Sequence, residues 1–213
     1  MKLIKKVDIN FVLWEWLKAE WYKKPFDNIR DQFSYLVDNQ NLDDINENDL
    51  RKNLMLQVRP DVVKPLLELS FEWYLGDFNN YDQFKKLYII TSDDWYLVTN
   101  RSFSLAQTIN NLHHNQVHES DVKKKLDIFK ARESFDAKLI LGGKTTDKLT
   151  IIEGNHRAVT YLHYNDEMES EIVPDEVVVG LSPLINQYRW SIEWIGIPWL
   201  LQECERKFST EQA

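Results

Sequence analysis

The feature that most constrains this chain is the run Leu149-Thr150-Ile151-Ile152-Glu153-Gly154-Asn155-His156-Arg157-Ala158. Its first five residues are rich in β-branched side chains and read as a strand. Gly154 permits a sharp turn, and Asn155 is a good N-cap for a helix over 155–164. Ala158, Tyr161 and Leu162 give that helix an inward face. His156 and Arg157 then occupy its first turn, where partial positive charge and unpaired amide donors already gather. Cationic side chains there cost about 0.3–1 kcal/mol each. The cost makes sense where an anion fills the turn, since Arg grips phosphate with two parallel hydrogen bonds and His adds one donor. A second reading fits the same residues, with Arg157 paired to a nearby carboxylate and His156 capping the turn. Residue chemistry alone leaves both open.

The segments around this run predict its setting. Leu139-Ile140-Leu141 leads through the turn-forming 142–148 into Leu149–Glu153, which reads as a hairpin, and Val177-Val178-Val179 reads as a further strand. Leu87–Ile90 and Trp95–Val98 are apolar runs of strand length on either side of Ser92-Asp93-Asp94. Helices are expected over 105–114, from Ser120 or Asp121 to about Phe129, and from Pro198 to Phe208.

The first 86 residues look mostly helical. Phe11, Leu13, Trp14, Leu17 and Trp21 follow helical spacing until Pro25. Further helices are expected over 26–37 and 62–74, the latter closed by Gly76, with 38–49 as a polar loop. The fold class expected is therefore α+β, with a helical N-terminal layer over 1–86 and a mixed core over 87–213 that form one compact unit. The hydrophobic fraction of 43% in 213 residues supports a packed core rather than disorder.

Several functions are disfavoured at once. One cysteine, Cys204, can form neither an internal disulfide nor a cysteine metal site. A net charge of -8 gives no long-range attraction to nucleic acid. No apolar run approaches the roughly 18 residues needed to span a bilayer, and the N-terminal run is broken by Asp8, Asn10 and Glu15. A cytoplasmic protein with no membrane partner is expected.

The motif itself resembles the signature of the ParB/sulfiredoxin-like superfamily, in which a strand ends in an acidic residue or Gly and a helix opens with Gly-x-His-Arg or Gly-x-Arg-Arg. Its members include the nucleotide domain of partition proteins, sulfiredoxin, free serine kinases with Asp-Gly-His-His-Arg, and defence-associated proteins with Asp-Gly-Gln-His-Arg. The resemblance covers Lys138 to Tyr164, extends loosely to Val178–Ser182, and leaves 1–86 unaccounted for. It implies a ParB/sulfiredoxin-like core with a helical N-terminal extension. It also implies that Gly154, Asn155, His156 and Arg157 bind the phosphates of ATP or ADP, with Mg²⁺.

Departures narrow what the resemblance implies. Asn155 stands where sulfiredoxin has its cysteine, and after Gly180 only Arg189, Arg206 and Lys207 are basic, so neither reductase chemistry nor a partition protein's DNA-binding segment fits. The free serine kinase pattern is closest by residue type. It implies catalytic roles for Glu153, His156 and Arg157, with Glu153 as the base or the Mg²⁺ carboxylate. The expected function is a nucleotide-dependent phosphotransferase, or a nucleotide hydrolase, acting on a small hydroxylated acceptor. A nucleotide-sensing module without catalysis and a nucleic-acid-processing or phage-defence protein are the alternatives.

Other residues carry weaker signals. Lys144 follows Gly143 as in a phosphate loop, but Lys138 stands where that loop's earlier glycine would be and the segment enters a strand, so Lys144 is a turn lysine that could at most reach a phosphate. Arg101 and Ser182 lie in loops where a ligand could be met, and ordinary surface and turn roles fit them as well. His114 and His118 have a spacing that zinc sites use, but no further ligand completes the set, and the reading favoured for them is a surface or interface role. Trp190, Trp194 and Trp199 could form a platform for a base; core packing is the expected role.

Overall fold

In a computed structural model that describes residues 1–132 and 134–210, five strands form one mixed sheet in the order β1-β2-β5-β3-β4. They are β1 (Lys2–Val7), β2 (Glu72–Asp77), β3 (Leu139–Gly143), β4 (Leu149–Glu153) and β5 (Val177–Leu181). The pair β3/β5 is parallel and the other pairs are antiparallel. The longer helices are α1 (Ile9–Glu20), α2 (Ile45–Val58), α3 (Pro60–Glu68), α4 (Gln116–Arg132), α5 (Asn155–Met168) and α6 (Ile197–Thr210). The fold is α+β, and among the described residues no helix is long and apolar enough to cross a membrane.

Both faces of the sheet are covered, so β3 and β4 are buried at every position and read as continuous apolar runs. Side chains alternate between two cores, as the period of two in a strand requires. Ile140, Ile152 and Val178 enter the core built by α1, α2 and α3. Leu139, Leu141, Ile151, Val177 and Val179 enter the other, with residues of α4, α5 and α6.

The hairpin β3/β4, strand β5 and helix α6 lie where the sequence puts them. The N-terminal reading needs correction. Strands β1 and β2, both within 1–86, join the same sheet as the later strands, so this segment is not only a helical layer. The helix expected over 62–74 stops at Glu68, and Gly76 lies inside β2 rather than at a helix end. The physical reason is pairing: Trp73 and Tyr74 bond across to β1 and β5, and Trp73 is buried against Gly180. The helix expected over 26–37 is broken into a 3₁₀ turn, Lys24–Phe26, and two four-residue helices, Arg30–Phe33 and Tyr35–Asp38. Helix α2 starts within the expected 38–49 loop because the Asp44 carboxylate caps it, accepting from the amides of Asn46 and Glu47.

Two further differences shape the site. Residues 87–90 make only isolated bridges, through Tyr88 to Thr150 and Ser104. Residues 93–96 form a short helix rather than a strand, with Asp93 and Asp94 in its first turn, where a carboxylate suits the helix dipole. Helix α4 begins at Gln116, capped by Asn115, whose side-chain oxygen accepts from the amides of Val117 and His118.

Candidate functional site

Strand β4 ends at Glu153, and the chain turns at Gly154 with φ 98° and ψ 22°, a left-handed conformation that disfavours other residues. Gly154, not Asn155, is the N-cap of α5. Asn155 is the first helical residue, and its side-chain oxygen accepts the amide of Ile90 at 3.1 Å, tying the 87–91 segment to the turn. No side chain caps α5. The first bond into the helix is Ala158 N–H to Gly154 C=O at 2.9 Å. The amides of Asn155, His156 and Arg157 therefore have no acceptor among the described residues.

Arg157 is 8% exposed and its guanidinium lies over Gly154. Its Nη2 donates to Lys138 C=O at 3.2 Å and lies 3.6 Å from Glu153 Oε1, while its buried Nε has no partner. Lys125 of α4 lies in the same electrostatic neighbourhood; burial pushes its pKa down, and the charge of Arg157 adds to this. It makes no ion pair within 4.0 Å among the described residues. An orphaned guanidinium donor, a lysine without a salt-bridge partner and three open amides thus converge on one turn. That is donor chemistry for an anion.

Beside this turn runs a chain of three side chains. His156 Nε2 and His118 Nδ1 are 2.9 Å apart. His118 Nε2 lies 3.3 Å from Asp94 Oδ2 but makes no hydrogen bond. Trp95 stacks on the His118 ring at 3.8 Å between centroids and 12° between planes, which holds the ring's orientation. Burial tends to raise the Asp94 carboxyl, but the adjacent His118 and the hydrogen bond from Ser92 outweigh it and hold Asp94 below its usual range. Burial, with the neighbouring His118, depresses His156 to about 4. His156 is thus a neutral imidazole at pH 7, not the cation that its place in a phosphate turn first suggests.

These groups line a cleft of about 880 Å³ between the sheet's end and the N-terminal helices. The opposite wall carries Tyr22, Lys23, Arg59 and Val62. Lys23 and Arg59 share one buried carboxylate, Glu20, at 2.8 and 3.6 Å. Trp190 also lines the cleft, whereas Trp194 is partly buried and Trp199 is 58% exposed, so core packing does not describe all three.

The structure brings Glu153, Gly154, Asn155, His156 and Arg157 together in this cleft. Lys144 is exposed at the other end of β4, with its amide bonded to Glu193. Ser182 is buried beside Gly143 at that same distant end, where its hydroxyl accepts the amide of Leu184. Arg101 sits in a left-handed turn outside the cleft lining. Sequence reasoning missed Asp94 and Lys125, and it gave buried His118 a surface role. His113 and His114 are exposed, and their rings lie against each other at a 40° tilt. Among the described residues no group of three or more His, Cys, Asp or Glu is arranged to hold a metal ion. Glu153 is the carboxylate beside the turn, 3.6 Å from Arg157 Nη2.

Comparison with protein-family models, with curated proteins and with solved structures finds no match for this chain.

Proposed function

We propose that this chain binds a nucleoside di- or triphosphate at the N-terminus of α5 and transfers its terminal phosphoryl group to a small hydroxylated acceptor or to water. One observation carries the reading: the buried Arg157 has an unpartnered Nε at a helix start whose first three amides are also open. A buried charged donor without an acceptor is costly unless a ligand completes it. The resemblance of Glu153-Gly154-Asn155-His156-Arg157 to the ParB/sulfiredoxin-like turn supports nucleotide phosphates as that ligand. The cleft volume suits a ligand of nucleotide size, and Trp190 and Tyr22 offer faces for a base.

Within this reading Arg157, Lys125 and the amides of 155–157 hold the phosphates and stabilise charge as it develops on the transferring group. Glu153 keeps Arg157 in register and is the carboxylate available to a Mg²⁺ that accompanies the phosphates. That ion, when bound, neutralises phosphate charge; the chain's own contribution is positioning. A second reading, sensing without turnover, is favoured by the cleft's opposite wall, because a ligand here would touch both α5 and the N-terminal helices. A polyanion is disfavoured, since the five Lys and Arg side chains that line the cleft face five carboxylates there.

The test is thermal stability with a panel of nucleoside di- and triphosphates, with and without Mg²⁺. At least one should raise the wild-type midpoint, and Arg157→Ala should abolish the rise. If none does, both nucleotide readings fail. If one does, product analysis separates transfer from sensing.

A further inference from the structure

We infer that Asp94, His118 and His156 form a relay that fixes one imidazole nitrogen, His156 Nδ1, as a proton acceptor opening on the cleft. The inference deepens the phosphotransferase reading and rests on it for the identity of the proton's donor, but the relay itself stands on geometry.

His118 Nε2 makes no hydrogen bond, but it lies 3.3 Å from Asp94 Oδ2, and a carboxylate oxygen there favours an N–H over a lone pair on that nitrogen. With its single ring hydrogen placed there, His118 presents a lone pair at Nδ1. The 2.9 Å contact between His118 Nδ1 and His156 Nε2 then requires the hydrogen to sit on His156 Nε2. That leaves His156 Nδ1 as the unprotonated nitrogen. His156 lines the cleft, and its Nδ1 makes no hydrogen bond to a described residue. The orienting parts are themselves held: Ser92 bonds to Asp94, Trp95 stacks on His118, and Asn115 caps the turn that carries His118.

His156 faces His118, Asp121, Lys125 and Glu153 electrostatically, and the arrival of phosphate adds negative charge that favours its protonated form. In the transfer, the acceptor's O–H bond breaks and its proton goes to His156 Nδ1. The acceptor oxygen bonds to the terminal phosphorus, and the bond from that phosphorus to the bridging oxygen breaks. The nucleotide, one phosphate shorter, leaves with the electron pair. The proton later passes from Nδ1 to solvent. Asp94 and His118 touch no reacting atom and are positioning residues.

The test is ¹⁵N NMR of the histidine side chains in the full chain, with turnover measured alongside. In the wild type at pH 7, His156 should be a single tautomer with Nε2 protonated and Nδ1 bare. His118→Gln and Asp94→Asn should each mix the tautomers. Either variant alone suffices if the other fails to fold. With the nucleotide that raises the midpoint, His156→Ala should lower turnover about 100-fold or more, the scale of general-base loss. That variant should keep the nucleotide-induced midpoint shift. A bare Nε2 in the wild type, or a tautomer unchanged in both positioning variants, overturns the relay. Wild-type turnover in His156→Ala overturns the proton acceptor. Failure of every nucleotide to shift the wild-type midpoint overturns the nucleotide reading instead, and the tautomers still decide the relay.

Discussion

The guanidinium of Arg157 lies directly over Gly154, so that a Cβ built on Gly154 would stand 2.7 Å from Arg157 Nη2 and 3.1 Å from Nε. The missing side chain of one residue is the seat of the other. The same Cβ would meet Leu139 Cδ2 at 2.5 Å, and the backbone there has φ 98°. Gly154→Ala should therefore displace Arg157 and strain the turn together. We expect a loss of about 1–3 kcal/mol of stability from the forced left-handed conformation, and loss of the nucleotide-induced midpoint shift. Urea denaturation and thermal shift read the two effects separately. An alanine variant that still binds nucleotide would show that the guanidinium does not need its seat.

Stability should fall with acid through a definite window. His156 is depressed from 6.5 to about 4 by burial and by the neighbouring His118. Between those values the unfolded chain binds a proton that the folded chain refuses, so stability is full above pH 6.5 and is lost as pH falls toward 4. At about 1.4 kcal/mol per pKa unit, the loss is on the order of 3 kcal/mol. His163, also pushed down mainly by burial, contributes with the same sign. Urea midpoints measured from pH 7 to pH 4 should show a steep fall in the wild type and a shallower one in His156→Gln. Equal slopes would mean that His156 is not held neutral by the fold.

The contrast between these residues and the rest of the site shows what a sequence can carry. The strand, the Gly154 turn and α5 were legible because each depends on neighbours within a few residues. Asp94 and His118 were not, since they reach His156 from 62 and 38 residues away and obey no spacing rule. Two local signals could have found them. Asn115 caps α4 and puts His118 in its first turn, and Ser92-Asp93-Asp94 is a helix start as much as a turn. Lys144 is the exposed turn lysine that its sequence favours, and β4 separates it from Gly154. Strands β1 and β2 were hidden because β1 is an exposed edge and β2 follows a helix with little break in its aromatic pattern.

Two lysines distinguish the anion site from a generic basic surface. Lys125 shares the electrostatic field of Arg157, whereas Lys144 is exposed at the opposite end of β4. A charge-assisted bond to phosphate contributes about 1.5–3 kcal/mol. Lys125→Ala should accordingly weaken nucleotide binding about tenfold or more, and Lys144→Ala should leave it unchanged. Isothermal titration of both variants at one ionic strength checks this. Equal weakening by the two would point to diffuse attraction rather than a built site.

The sheet gives the last prediction. Trp73 of β2 pairs in register with Gly180 of β5, and a Cβ on Gly180 would meet the indole ring at 2.4 Å. Trp73 thereby joins a strand of the first 86 residues to the central strand of the sheet. Gly180→Ala should overpack this contact and cost about 1–3 kcal/mol. Trp73→Leu loses ring contacts but leaves room for the new methyl group. The double variant should therefore be more stable than the sum of the two losses predicts, by about 0.5–3 kcal/mol, as expected of residues in contact. A double-mutant cycle by urea denaturation measures that coupling directly. Additive losses would mean that the indole does not rest on Gly180, and that β2 and β5 meet in another register.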